Sequence, residues 1–107
     1  MSKEYTDFIV NRPVLEVWGY LTTLPRIADI KVDFIDRQRY QMKLSKGFTL
    51  MSYGEDITIS FFDAMNGTTR ILAESKPKMP TQLIDGGVNR KNVDNIRGFI
   101  LSMYGQS

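Results

Sequence analysis

Asn89-Arg-Lys-Asn-Val-Asp-Asn-Ile-Arg-Gly-Phe-Ile-Leu-Ser-Met-Tyr104 is the stretch that decides how this chain folds. Val93, Ile96, Ile100 and Met103 recur at the three-and-four spacing of one helical face, with Phe99 and Tyr104 flanking it. Asp94, Asn95 and Gly98 fall on the other side. Asn89 can cap the start, because its side-chain oxygen can accept an otherwise unpaired backbone N–H. Gly105 stands where helices commonly stop. An apolar stripe of this kind needs a partner, and the residues upstream supply one.

From Asp29 onward the period is two. Ile30, Val32 and Phe34 alternate with Asp29, Lys31 and Asp33. Tyr40, Met42 and Leu44 alternate with Gln41, Lys43 and Ser45 after the polar break Asp36–Arg39. Phe48 to Tyr53 reads as a further strand, which Gly54 breaks or bulges. Ile57, Ile59 and Phe61 follow, then the Asn66-Gly67 hairpin signal, then Thr69, Ile71 and Ala73. Short turns between such segments predict an antiparallel meander. Ahead of it, residues 4–10 form a strand with Thr6, Phe8 and Val10 on one face, closed by Asn11-Arg12-Pro13. Val14, Val17, Trp18, Leu21 and Leu24 then make a helical stripe that Pro25 ends. Residues 76–88 carry two prolines and two glycines and read as irregular, with Leu83 and Ile84 dipping into the core. The expected class is α+β. An antiparallel sheet of about five to six strands packs against a long C-terminal helix, with a short helix after the first strand, in one domain spanning residues 1–107.

Composition narrows the function classes. The 107 residues are 42% apolar and 24% charged, ordinary globular values. A chain of this length buries roughly two-thirds of its unfolded surface, enough for one modest core. Fourteen basic residues against twelve acidic ones give +2, with an isoelectric point near 9.0. That balance does not point to nucleic acid. Cysteine and histidine are both absent, which removes disulfides, thiolate metal sites and the commonest general base. No apolar run resembles a signal peptide or a membrane span, so a cytoplasmic, bacterial-type protein without a cofactor or metal is expected.

The order strand, helix, meander, long helix carries a resemblance, together with Ile9-Val-Asn-Arg-Pro-Val-Leu-Glu-Val-Trp-Gly-Tyr-Leu21 at the front. The chain resembles the START-like helix-grip superfamily, also called Bet v 1-like or SRPBCC, which includes polyketide cyclases and lipid-transport proteins. Those proteins often open with a strand and then a proline-started helix holding a Val-Trp pair. The resemblance implies a curved sheet gripping the C-terminal helix, with an apolar pocket between them for lipids, sterols, polyketides or similar molecules. Only Pro25-Arg-Ile-Ala28 separates the first helix from the next strand, where family members usually carry more. A shortened branch with a small or filled pocket is therefore expected.

Three functional readings follow. The first is a domain holding a small hydrophobic or amphipathic ligand. Its pocket would be lined by Trp18, Tyr40, Met42, Phe48, Tyr53, Ile59, Phe61, Ile96, Phe99, Ile100 and Met103. Lys78, Arg90 and Lys91 would offer an anion its place near the helix start. Core packing is the simpler reading of the same apolar residues, and solvated surface of the basic ones. The second reading is an interaction or self-assembly module, with a second copy of the chain as partner, because short sheets have open edges. The third is a cyclase-like enzyme, for which Tyr53, Glu55 and Arg70 are the conceivable acid–base groups. No catalytic motif supports it.

Overall fold

A computed structural model describes residues 3–47, 54–79 and 87–106. The elements run β1 (Glu4–Val10), α1 (Val14–Leu21), β2 (Arg26–Ile27), β3 (Ile30–Asp36), β4 (Gln41–Lys46), β5 (Glu55–Asp63), β6 (Thr69–Pro77) and α2 (Val88–Met103). The six strands form one curled antiparallel sheet in the order β1-β6-β5-β4-β3-β2. With α2 packed on β1 and β6, this is an α+β helix-grip-like architecture.

The pairing register determines which residues look inward. Across the inner face run five rows. Val10, Thr69 and Asp63 form the first, and Phe8, Ile71 and Phe61 the second. Thr6, Ala73, Ile59, Met42 and Ile35 make the third, and Glu4, Ser75, Ile57, Leu44 and Val32 the fourth. The fifth is Pro77, Glu55 and Lys46. The central members of these rows are buried and meet Val17, Trp18 and Leu21 of α1 and Ile96, Ile100 and Leu101 of α2 in one core.

Local chemistry explains the turns. Asn66 and Gly67 both sit at positive φ (53° and 73°) and make the tight hairpin that their sequence signals. Ala28 and Asp29 do the same (50° and 65°) between β2 and β3. At the far end of α2 the Gln106 N–H reaches the Leu101 carbonyl (2.7 Å) and the Gly105 N–H reaches Ser102 (3.1 Å). Gly105 takes the left-handed conformation (φ 71°) that such a helix stop requires, as its position in the sequence predicts.

Several sequence expectations are corrected. Phe34 does not share a face with Ile30 and Val32. A bulge between Val32 and Phe34 inserts Asp33, turns Phe34 outward (59% exposed) and brings Ile35 to the core side. α1 stops at Leu21 rather than running to Leu24, and the Thr22 and Thr23 hydroxyls take the Trp18 and Tyr20 carbonyls (2.7 and 2.6 Å). β6 reaches Pro77, beyond the expected boundary. Because the Lys78 N–H points to Gly54 on the β5 side (2.9 Å), the ring nitrogen of Pro77 faces the β1 side, where the described ladder has already ended at Ser75. α2 begins at Val88 behind Gly87 (φ 77°), so Asn89 lies inside the first turn and does not cap it. The expected strand Phe48–Tyr53 and the core contacts of Leu83 and Ile84 lie outside the described residues.

Candidate ligand-binding site

The interface between sheet and α2 has an apolar middle and a polar end. In the middle, Met42 and Ile59 stand opposite each other on β4 and β5 and are fully buried, as are Ile96 and Ile100 on α2. Met103 is half-buried against the same core. Toward α1 the lining turns aromatic. Trp18 stacks on Tyr40 with ring centroids 5.0 Å apart and meets Phe61 edge-on at 5.3 Å. Phe99 sits on the outward flank of α2, 37% exposed. Phe48 and Tyr53 lie outside the described residues.

The polar end is the less expected feature. Glu55 and Lys46 are directly opposite each other on β5 and β4 and share the inner face. Asn92 of α2 bridges them: its Nδ2 donates to Glu55 Oε1 (3.0 Å) and its Oδ1 accepts from Lys46 Nζ (3.3 Å). The same Nδ2 reaches Ser75 Oγ (3.2 Å), and that hydroxyl donates to Asn89 Oδ1 (2.7 Å). Glu55, Ser75, Asn89 and Asn92 have no solvent exposure at all. A carboxylate taken from water is costly unless hydrogen bonds hold it, and Asn92 supplies one while carrying the Lys46 ammonium on its other end. Gly54 precedes Glu55 at φ 104°, packed so closely that a Cβ there would lie 2.8 Å from the Lys46 carbonyl oxygen. The glycine lets the backbone start β5 with Glu55 turned inward.

Of this cluster the sequence marks Glu55 as a conceivable acid–base group and Asn89 only as a helix cap. A periodic signal for the rest was present: Asn89 and Asn92 continue the Val93–Ile96–Ile100 stripe at three-and-four spacing, Ser75 follows Thr69, Ile71 and Ala73 at every second position, and Lys46 follows Met42 and Leu44 in the same way. The basic trio disperses. Lys78 Nζ pairs with Asp56 (2.6 Å), Arg90 pairs with Glu4 (3.1 Å) and Asp94 (3.2 Å), and Lys91 is exposed. Arg70 lies on the outer face, where its guanidinium forks onto the Asp7 carboxylate (2.9 and 2.5 Å) and lies over the Phe62 ring. It does not share a face with Glu55.

The sheet and its gripping helix define a Bet v 1/SRPBCC-like fold. Particular solved structures share it. The chain superposes on the di-domain ARO/CYC BexL from the BE-7585A biosynthetic pathway with a TM-score of 0.69 at 11% identity, covering 99% of this chain and 46% of that one. It thus spans just under half of that protein. An uncharacterized protein from Bacillus thuringiensis matches with a TM-score of 0.70 at 10% identity over 97% of both chains. Ara h 8.0201 matches at 0.54 and 13% identity, over 94% of this chain and 98% of the other. No protein-family model and no curated protein matches the sequence. Among the described residues no helix is long and apolar enough to cross a membrane.

Proposed function

We propose that this protein binds a small amphipathic molecule between the sheet and α2. The apolar body lies against Met42, Ile59, Ile96 and Ile100, and the polar end reaches Glu55, Asn92 and Lys46. The observation that carries this reading is the Glu55–Asn92–Lys46 bridge, fully buried at Glu55 and Asn92 and half-buried at Lys46. It sets hydrogen-bonding and ionic groups at one end of an otherwise apolar interface, the polarity pattern of a ligand pocket. The likeness to an ARO/CYC protein and to Ara h 8.0201 supports the fold such a role needs, while fold alone does not assign the role.

Two observations weigh against the rival readings. Self-assembly through the β1 edge requires that edge to be open, and α2 and the residues after it straddle it. Arg90 Nη2 donates to the Tyr5 carbonyl (3.1 Å), and Gln106 Nε2 donates to the Ile9 carbonyl (3.3 Å). A cyclase-like site requires its acid–base groups on one face, and Glu55 and Arg70 look to opposite sides of the sheet.

The test is a panel of twelve-carbon probes that differ only in the head: alcohol, amine and carboxylate. Binding raises the midpoint of thermal unfolding, since a ligand at about 100 Kd adds roughly 2.7 kcal/mol. Native mass spectrometry gives the stoichiometry. Glu55→Gln is expected to change the order of preference among the three heads. If no probe shifts either the midpoint or the mass, the reading is wrong.

A further inference from the structure

A surface cleft borders the aromatic end of that interior. The β3–β4 turn, the start of α1 and the end of β5 enclose an open cleft of about 480 Å³, walled by Val14, Gln38, Arg39, Tyr40, Phe61 and Asp63. Two of its walls are aromatic, Tyr40 stacked on Trp18 and Phe61 edge-on to the same indole. Phe61 stands six positions along β5 from Glu55, about 20 Å at the rise of an extended strand.

Two features point to a ligand. Tyr40 sits at φ 53°, a conformation that a bulky residue rarely adopts. Its neighbours hold it there. The Asp36 carboxylate accepts the Gln38 and Arg39 N–H groups (3.2 and 3.1 Å), and the Tyr40 carbonyl accepts the Phe61 N–H (3.0 Å). Strain fixed in this way presents the phenol ring at the cleft instead of letting it relax. The second feature is Arg39. Its side chain is 76% exposed, and Asp36, the acid with which it pairs, is 3.9 Å away, too far for a hydrogen bond. The Asp63 carboxylate is turned to the Met65 N–H (2.9 Å) within the next turn. The cleft thus combines a π surface with a guanidinium fork that can take a planar acid in bidentate fashion.

We propose that this cleft binds a flat aromatic carboxylate of one or two rings, with the ring against Tyr40 and the acid on Arg39. The volume suits a molecule of that size.

The probe is 2-naphthoate, and the reporter is Trp18, the one tryptophan of the chain, already stacked on Tyr40. A saturable change in its emission is expected, with Kd on the order of 0.1 to 1 mM for so small a ligand. Arg39→Ala is expected to weaken 2-naphthoate roughly fivefold while leaving 2-naphthalenemethanol unchanged, as loss of a charge-assisted contact would. Tyr40→Gly removes the ring at a position where glycine is unstrained, and is expected to weaken both compounds. Amide shifts of Gln38, Arg39 and Tyr40 on titration locate the site independently of emission. The proposal is overturned if emission does not saturate, or if Arg39→Ala leaves the acid's affinity unchanged. It is equally overturned if the shifts fall around Asn92, which would put the probe in the interior pocket.

Discussion

Gly54 is the residue on which the polar end of the interface turns. Any side chain there meets both a left-handed backbone and the Lys46 carbonyl at 2.8 Å. Gly54→Ala should therefore cost about 2 kcal/mol or more by urea unfolding, through displacement of Glu55 rather than loss of a contact. Asn92 is the converse case, a residue whose contacts are the point. Asn92→Leu strips Glu55 and Ser75 of a shared donor inside the core and should cost about 3 kcal/mol. Adding Glu55→Met should restore part of that loss, because the buried carboxylate goes together with its donor, while the Lys46 ammonium, only part-buried, can turn to water. Tyr104 differs again. Its hydroxyl is buried with no hydrogen-bond partner among the described residues. Burial foremost, then the negative charge of Glu16, raises its pKa above 10.0. The folded chain therefore holds this proton to higher pH than the unfolded one. The stability it confers is complete below pH 10.0 and is lost as pH rises through the folded value. Tyr104→Phe should unfold within about 1 kcal/mol of the parent at neutral pH and lose less stability than the parent above pH 10.

At the scale of elements, α2 does two things. Its inner face closes the sheet, and its two ends guard β1. The guard depends on the helix stop at Gly105, which turns the chain back so that Gln106 Oε1 also accepts the Asn11 N–H (2.9 Å). Arg90, near the other end, pairs with Glu4 and the Tyr5 carbonyl. Removing both guards, Arg90→Ala with Gln106→Ala, should cost at most about 1 kcal/mol, since these contacts lie near solvent. It should also make the protein associate with rising concentration, which light scattering would register. A strict monomer would show that β1 is protected by other means. At the opposite side of the sheet, the Val32–Phe34 bulge twists β3 where β2 no longer covers it, a usual way of discouraging edge pairing.

The molecule as a whole is tied together by its most distant pairing. β1 joins β6 along seven positions, and the partners stand about sixty to seventy residues apart in sequence. Closing so long a loop precedes any reward from the contacts it makes. Refolding should therefore occur in milliseconds to seconds rather than microseconds, and stopped-flow fluorescence of Trp18 would measure it. Val10→Ala, at a fully buried position at the end of this ladder opposite Thr69, should slow refolding more than it speeds unfolding if β1–β6 pairing forms in the transition state. Most of this architecture was legible from periodicity. The register of two, the proline-started helix, the Asn66-Gly67 turn and the Val93–Ile96–Ile100 stripe each reflect local preference acting on nearby residues. The candidate site was only half legible. Trp18, Tyr40, Met42, Ile59, Phe61, Ile96 and Ile100 are apolar and announce burial, though not whether they surround a ligand. Ser75, Asn89 and Asn92 are polar residues that would ordinarily seek water, and their burial depends on one another and on Glu55.

By itself the sequence determined the elements, their order and the greasy face that each presents, because spacing along the chain sets which side chains lie together on a helix or strand. Only the tertiary structure decided that Glu55, Lys46 and Asn92 meet. Their positions come from three elements, and it is strand register and helix placement that bring them within hydrogen-bonding distance. A buried carboxylate is stable only when distant parts of the chain bring donors to it, and no local pattern records that.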